Sequence, residues 1–160
     1  MRLLVVSDTH RVTGALMNII RQNSSLVQGI IHLGDHDFDL FICEGLSQAE
    51  YYTVAGNCDN ESLSKRERVL ELNGFRIFMT HGNTYHVGIG TERLAARAAE
   101  VNAQVCLYGH THISTLFTEN GILFMNPGSL LDPRDDKPPS YAFLDLDETT
   151  GTAAGSILFI

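Results

Sequence analysis

Short apolar runs, each stopped by a polar cluster, recur along this chain of 160 residues. Residues 3–6 form a continuous apolar run, the pattern of a strand buried on both faces, and it gives way to Ser7-Asp8-Thr9-His10. Over 13–22 the period becomes helical, with Leu16, Ile19 and Ile20 on one side and Thr13 placed to cap the first turn. A second strand, 29–33, runs straight into Gly34-Asp35. A weaker helical stretch covers 38–46, with Gly45 near its end. A third strand, 51–54, stops at Gly56-Asn57-Cys58-Asp59. Strand, crossover, strand, crossover, strand predicts a parallel sheet.

The rhythm then changes. Residues 68–72 and 75–79 flank Asn73-Gly74, the strongest short hairpin signal, and the second strand of the pair ends at Thr80-His81-Gly82. An Ala-rich helix is expected over 91–102, with Leu94, Ala95, Ala98 and Val101 on one face. The buried run 104–108 ends in Gly109-His110-Thr111-His112. A second hairpin, 115–124, turns at Asn120-Gly121 and leads to Asn126-Pro127-Gly128-Ser129. After a loop rich in Pro and Asp, strands at 141–145 and 154–159 close the chain. The expected architecture is an α/β domain, parallel in its first half and antiparallel in its second, with residues 1–160 forming one domain.

Composition narrows the function classes. Eleven basic against nineteen acidic residues give a formal charge of −8, and no basic run is present, which argues against nucleic acid as a stable partner. Three cysteines without a C-x-x-C pair suit a reducing compartment. The N-terminal apolar run is too short for a signal segment, and no stretch reaches the ~18 apolar residues that would span a bilayer. The expectation is a cytoplasmic protein with no membrane partner.

Five expected strands end in groups with metal-competent or amide side chains: Asp8-x-His10, Gly34-Asp35, Asn57, His81 and His110-x-His112. Alone, each is weak; a His-x-His on a loop or a Gly-Asp turn is common. In open α/β sheets, however, ligands bind beyond the carboxyl ends of the strands, so five such ends would bring these side chains to one rim. Oxygen and imidazole donors without a thiolate suit a divalent Mn, Fe, Co, Ni or Zn ion. Glycines beside Asp35, Asn57, His81 and His110 would permit sharp turns there.

The series Asp-x-His, Gly-Asp, Gly-Asn-x-Asp, His-Gly, Gly-His-x-His resembles the calcineurin-like metallophosphoesterase superfamily. Asn126-Pro127-Gly128-Ser129, Pro133-Arg134 and Pro139-Ser140-Tyr141-Ala142 are similar to its small prokaryotic YfcE-type phosphodiesterase branch. The resemblance runs from Ser7 to about Ala142. It implies a four-layer αββα sandwich of two mixed β-sheets, of the metallo-dependent phosphatase-like fold (α/β, or α+β in some schemes). It further implies two divalent ions, manganese first, with iron, zinc, nickel and cobalt as alternatives. Asp8, His10 and His112 would hold one ion, and Asn57, His81 and His110 the other, with Asp35 bridging. Asp35, Asn57 and His81 would stand closest to the chemistry, in which a hydroxide held between the ions attacks a small phosphoester. A phosphomonoesterase and a scaffold on the same fold, the role of a eukaryotic retromer subunit that resembles this family, are the alternatives. Self-association is the other partner class left open.

Departures from the pattern matter as well. Cys58 stands where many superfamily members carry a His near the leaving group, so an obvious general acid is missing and good leaving groups should be favoured. Arg11 replaces a usual glycine and, with Arg134, is a candidate contact to the substrate phosphate. Solvated loop cations and partners of Asp132, Asp135 or Asp136 are the plainer readings. His32, His36 and His86 fall outside the matched positions, Asn83 replaces a His of some relatives, and Asp59 either orients Asn57 or is a solvated turn residue.

Overall fold

The N-terminal apolar run becomes strand β1 (Arg2–Val6), whose side chains divide between two cores. Leu3 and Val5 enter the space between two sheets, whereas Leu4 and Val6 face a helical layer. Alternation with period two and no polar face is why the run is continuous. In the computed structural model, which describes residues 1–160, β1 pairs in parallel with β2 (Gly29–His32), and β2 with β3 (Glu50–Thr53). On its other side β1 pairs antiparallel with β9 (Ser140–Asp147), and β9 with β10 (Thr152–Phe159), giving the order β10-β9-β1-β2-β3. Helix α1 (Thr13–Asn23) and the short α2 (Phe38–Ile42) cover the outer face through Leu16, Ile19, Ile20 and Leu40.

The second sheet has the order β4-β5-β6-β8-β7, built from β4 (Glu67–Leu72), β5 (Phe75–Thr80), β6 (Val105–Leu107), β7 (Thr115–Glu119) and β8 (Ile122–Asn126). Here β5, β6 and β8 are mutually parallel, while β4 and β7 join as antiparallel hairpin partners. Helix α3 (Glu92–Glu100) covers the outer face, setting Leu94 and Ala98 against Phe78, Cys106 and Phe124. Three apolar clusters, one between the sheets and one under each helical layer, define the four-layer αββα arrangement of two mixed sheets. The hairpins turn at Asn73-Gly74 and Asn120-Gly121, all four residues at positive φ, as the pattern requires.

Three local expectations change. Thr13 is already helical and no side chain caps α1; the preceding loop is held by Asp39, which accepts from the Thr9 hydroxyl (2.7 Å) and the Arg11 N–H (2.8 Å). Helix α2 ends at Ile42 rather than 46, because the N–H groups of Cys43, Glu44 and Leu46 reach back only three residues, and Gly45 then takes φ 85°. Helix α3 stops short of 102, where Asn102 turns left-handed and the Ala103 N–H returns to the Ala98 carbonyl. No helix is long and apolar enough to cross a membrane.

Candidate metal centre

The parallel strands of both sheets deliver their carboxyl ends to one rim, and the loops there share an unusual backbone. Eleven non-glycine residues have positive φ; seven of them are Asp8, His10, Arg11, Asp35, His36, His110 and His112. Left-handed conformations cost free energy outside Gly and Asn, so their concentration in three loops marks a site whose surroundings hold them in place. Asn126, fully buried, donates from Nδ2 to the Gly109 carbonyl (2.8 Å) and the Thr111 hydroxyl (3.0 Å). Ser129 donates from Oγ to the Asp8 carbonyl (2.9 Å). Asp59 accepts from the N–H groups of His36 (2.7 Å), Asp37 (3.2 Å) and Gly56 (2.8 Å), tying the loop after β2 to the loop after β3.

One ligand atom each from Asp8, His10, Asp35 and His112 lies within 4.8 Å of all the others. His112 Nε2 is 3.1 Å from Asp8 Oδ1 and 3.3 Å from His10 Nε2, and His10 Nε2 is 4.0 Å from Asp35 Oδ2. From the second sheet, His81 Nε2 approaches Asp35 Oδ1 (3.4 Å) and Asp8 Oδ1 (3.9 Å). Tautomers follow from the other ring nitrogens. His81 Nδ1 donates to the Leu33 carbonyl (2.7 Å) and His112 Nδ1 to the Asp132 carbonyl (2.6 Å), which leaves both Nε2 lone pairs directed at the carboxylates. Asp8 Oδ1 and His81 Nε2 are buried with no hydrogen-bond partner. Burying unpartnered polar atoms side by side is costly, and a cation between them would satisfy both. With carboxylate oxygens and imidazole nitrogens as donors, these residues fit a divalent metal ion.

The pKa shifts follow from the same field. Burial would raise the pKa of Asp35, but His81 and the Cys58 N–H outweigh it, and the carboxyl falls well below its ordinary 3.8. Asp8 also falls, burial being overcome by His112, His81 and Ser7. Burial would lower His81 and His112, yet the carboxylates of Asp35 and Asp8 carry His81 above 6.5, and Asp8 does so for His112. His110 moves down, through burial and the positive charge of His81.

The sequence-derived set is gathered unevenly. The His110 ring centroid stands 5.1 Å from that of His81, and the His112 ring 5.1 Å from that of His10, so the two imidazoles of the His-x-His diverge. Asn57 stands apart: its side chain is exposed and donates to Cys58 Sγ (3.5 Å). Cys58 instead faces Asp35, donating from N to Oδ1 (2.8 Å) and from Sγ to Oδ2 (3.3 Å). Arg11 is exposed and forms no ion pair. Arg134 is exposed, with its backbone N–H on the His112 carbonyl (3.2 Å) and its Nε 3.8 Å from Asp132. The glycines do two jobs rather than one. Gly34 turns at φ 95°, whereas Gly109 is needed because a Cβ there would overlap Ser7 Oγ and Asp8 Oδ2. His86 is exposed and left-handed, and Asn83 opens a short 3₁₀ turn.

Supporting residues with no apparent role in the sequence also emerge. Fully buried His32 accepts from the Gly34 N–H at Nδ1 (3.1 Å), so its Nε2 donates to Thr9 Oγ1 (3.0 Å), and Thr9 donates on to Asp39 (2.7 Å). This relay secures the Asp8–Arg11 turn from below. A signal for it was present, a histidine inside an otherwise apolar strand, but the two links of the relay span 23 and 30 residues.

Comparison with known proteins agrees with this geometry. A family model described as the calcineurin-like phosphoesterase superfamily domain matches residues 1–149. The probable metallophosphoesterase YsnB of Bacillus subtilis is 32% identical over 152 residues, covering 95% of this chain and 88% of its own. Phosphodiesterase YfcE of Escherichia coli is 28% identical, over 92% of this chain and 89% of its own. A crystal structure of a predicted phosphoesterase from Streptococcus pneumoniae superposes with a TM-score of 0.79 at 25% identity, covering 98% and 97% of the two chains.

Proposed function

The chain belongs to the calcineurin-like phosphoesterase superfamily, and from that premise we propose that residues 1–160 form one dinuclear metal-dependent phosphodiesterase domain. The reading rests on one observation above all: Asp8 Oδ1 and His81 Nε2, from different sheets, are buried, unpartnered and 3.9 Å apart. Asp8, His10 and His112 would hold one ion; His81, His110 and Asn57 the other, with Asn57 turning inward from the solvent; Asp35 would serve both. Two such ions, manganese in our reading, supply positive charge to the oxygens of the ester and lower the pKa of bound water.

The chain's own residues then do the rest. The Nδ1–H bonds of His81 and His112 to backbone carbonyls keep each ring in the tautomer that presents Nε2. The Cys58 N–H fixes the rotamer of Asp35, and burial of both carboxylates limits the competition from water. Arg11, next in the chain to His10, and Arg134, whose N–H is held by the His112 carbonyl, are both exposed and would offer cations to an anionic substrate. The Cys58 thiol, pushed up to about 11 chiefly by burial and then by Asp35, stays protonated at neutral pH and is a weak proton donor to a leaving group. Three free thiols suit a reducing compartment, and the cytoplasm is our reading of where such an enzyme would work.

Hydrolysis of bis-p-nitrophenyl phosphate and of p-nitrophenyl phosphate, measured with and without Mn²⁺, tests the reading. Metal-dependent turnover of the diester above the monoester, abolished in Asp35→Asn, is the expected result. A preference for the monoester would make the protein a phosphomonoesterase. Turnover of neither, in protein that binds metal and stays folded, would leave a scaffold on this fold.

A further inference from the structure

A cleft of about 390 Å³ opens from the metal centre on the side of His110. Its size falls in the ~300–1,000 Å³ range of sites that enclose small organic ligands. Val87, Ile113 and Tyr108 contribute apolar walls, Thr111 and Thr115 offer hydroxyls, and Arg134 adds a guanidinium. The walls are built from different parts of the molecule. Val87 belongs to the loop that follows His81, and Ile113 comes directly after His112. Thr111 is fixed by Asn126, which donates to its Oγ1 (3.0 Å), and Arg134 is tethered to the metal loop by its N–H on the His112 carbonyl.

Arg134 is the one basic side chain lining this cleft, on a chain with a charge of −8. Its contact with Asp132 is long, 3.8 Å, and both side chains are more than half exposed; an exposed pair of this kind contributes little. The guanidinium is therefore available to a ligand. A simple phosphodiester carries a single negative charge, which the metal centre already meets. Arg134 shares this cleft with His110, so a substrate whose scissile phosphate sits at the metal centre has a second cation beside its ester group, and that calls for a second anion on the same substrate. The cleft itself suits a heterocycle between Val87 and Ile113 and sugar hydroxyls against Thr111 and Thr115.

We propose that the substrate is a phosphodiester with a nucleoside-sized ester group that carries a second phosphate, and that Arg134 reads that phosphate in the Val87–Ile113 cleft. The inference rests on the phosphodiesterase reading above. The reaction adds one water across an ester P–O bond, with the hydroxyl going to phosphorus and the proton to the departing nucleoside oxygen. A substrate this short is compatible with an acidic protein that holds no long nucleic acid.

The test compares thymidylyl-(3′→5′)-thymidine with and without a 5′-phosphate, alongside bis-p-nitrophenyl phosphate, in Mn²⁺-loaded enzyme. The phosphorylated dinucleotide should be preferred in kcat/KM by about tenfold or more, the scale of one charge-assisted hydrogen bond. Arg134→Ala should bring the ratio of the two dinucleotides towards one, and Arg134→Lys should keep part of it. Independently of turnover, thymidine 3′,5′-bisphosphate titrated in Mg²⁺ buffer should shift the methyl resonances of Val87 and Ile113, and Arg134→Ala should weaken that binding by a similar factor. No preference in the wild type, or an equal loss on both dinucleotides in Arg134→Ala, would overturn the assignment; equal loss would mean that Arg134 touches the scissile phosphate. Turnover of bis-p-nitrophenyl phosphate with neither dinucleotide cleaved would overturn the cleft and leave the phosphodiesterase standing. Failure on all three diesters would remove both.

Discussion

Asp8, His10 and His112 present ligand atoms within 4.8 Å of one another and of Asp35. On the facing side, His81 brings one buried imidazole, His110 a ring 5.1 Å from it, and Asn57 a side chain turned to solvent. The supports differ in the same sense. Asp8 follows a central strand, its carbonyl is held by fully buried Ser129, and the turn beyond it rests on the Thr9–Asp39 relay. Asn57 follows β3, the edge strand of its sheet, on a loop braced by Asp59 but exposed at Asn57 and Cys58. On the dinuclear reading, one position would be assembled before any ion arrives, and the other would have to recruit Asn57 from an exposed loop. Loading should be stepwise, with the Asp8–His10–His112 position filled first.

The largest effect should come from a residue that both halves share. Asp35 approaches His10 through Oδ2 and His81 through Oδ1, so Asp35→Asn should lower diester turnover by ~10³-fold or more, beyond the ~10–100-fold typical of residues that only support ligands. Next comes the pair that divides the site. His112→Ala should remove the tighter ion and His110→Ala the weaker one, each leaving about one metal per chain by elemental analysis. If either substitution empties both positions equally, the two halves are not separable.

Protons sharpen the contrast. In metal-free protein Asp8 and Asp35 are depressed, so their contribution to stability is present above the ordinary 3.8 and is lost as pH falls through their folded values. His81 and His112 are raised, so theirs is complete below 6.5 and is lost as pH rises through their folded values. Both contributions are whole between about 3.8 and 6.5, and chelator-treated protein should melt highest in that window. Added metal must displace those imidazole protons, so the gain in Tm on loading should grow with rising pH. His110, pushed down by burial and by His81, should release fewer than either. Calorimetry in buffers of different ionisation enthalpy would count the protons, and a pH-independent gain in Tm would remove the linkage.

The same two regions show what a sequence carries. Strand ends and hairpins are legible because burial on both faces produces unbroken apolar runs, and because Asn-Gly turns have few alternatives. The gathering of Asp8, Asp35, His81 and His112 follows from the rule that parallel strands deliver their ends to one rim. What stayed hidden depends on partners distant in the chain. Nothing local says that Asp59 spans two loops, that His32 reaches Thr9, or that Asn126 holds the Gly109 carbonyl. The length of α2 was hidden for another reason: its apolar spacing continues past Ile42, but turns of three-residue reach and Gly45 take over. The inward or outward setting of Asn57 is a side-chain choice on an exposed loop, which no periodicity encodes.

Cys58 belongs to the less finished half and should give the smallest change. Its thiol points at Asp35 Oδ2 (3.3 Å), and its pKa near 11 makes it a poor acid at neutral pH. A histidine at this position titrates closer to neutrality, where proton donation is most effective. Cys58→His should therefore raise the rate on a diester with an alkyl leaving group while changing bis-p-nitrophenyl phosphate far less, because nitrophenolate departs without a proton. Full acid catalysis is worth ~10²–10⁴-fold, and an unoptimised imidazole on an exposed loop should recover only part of that, of order tenfold. The ratio of the two rates is the measurement, since it cancels any change in metal content. An unchanged ratio would show that proton delivery is not what this half lacks, and would leave the solvent-facing Asn57 as its principal deficit.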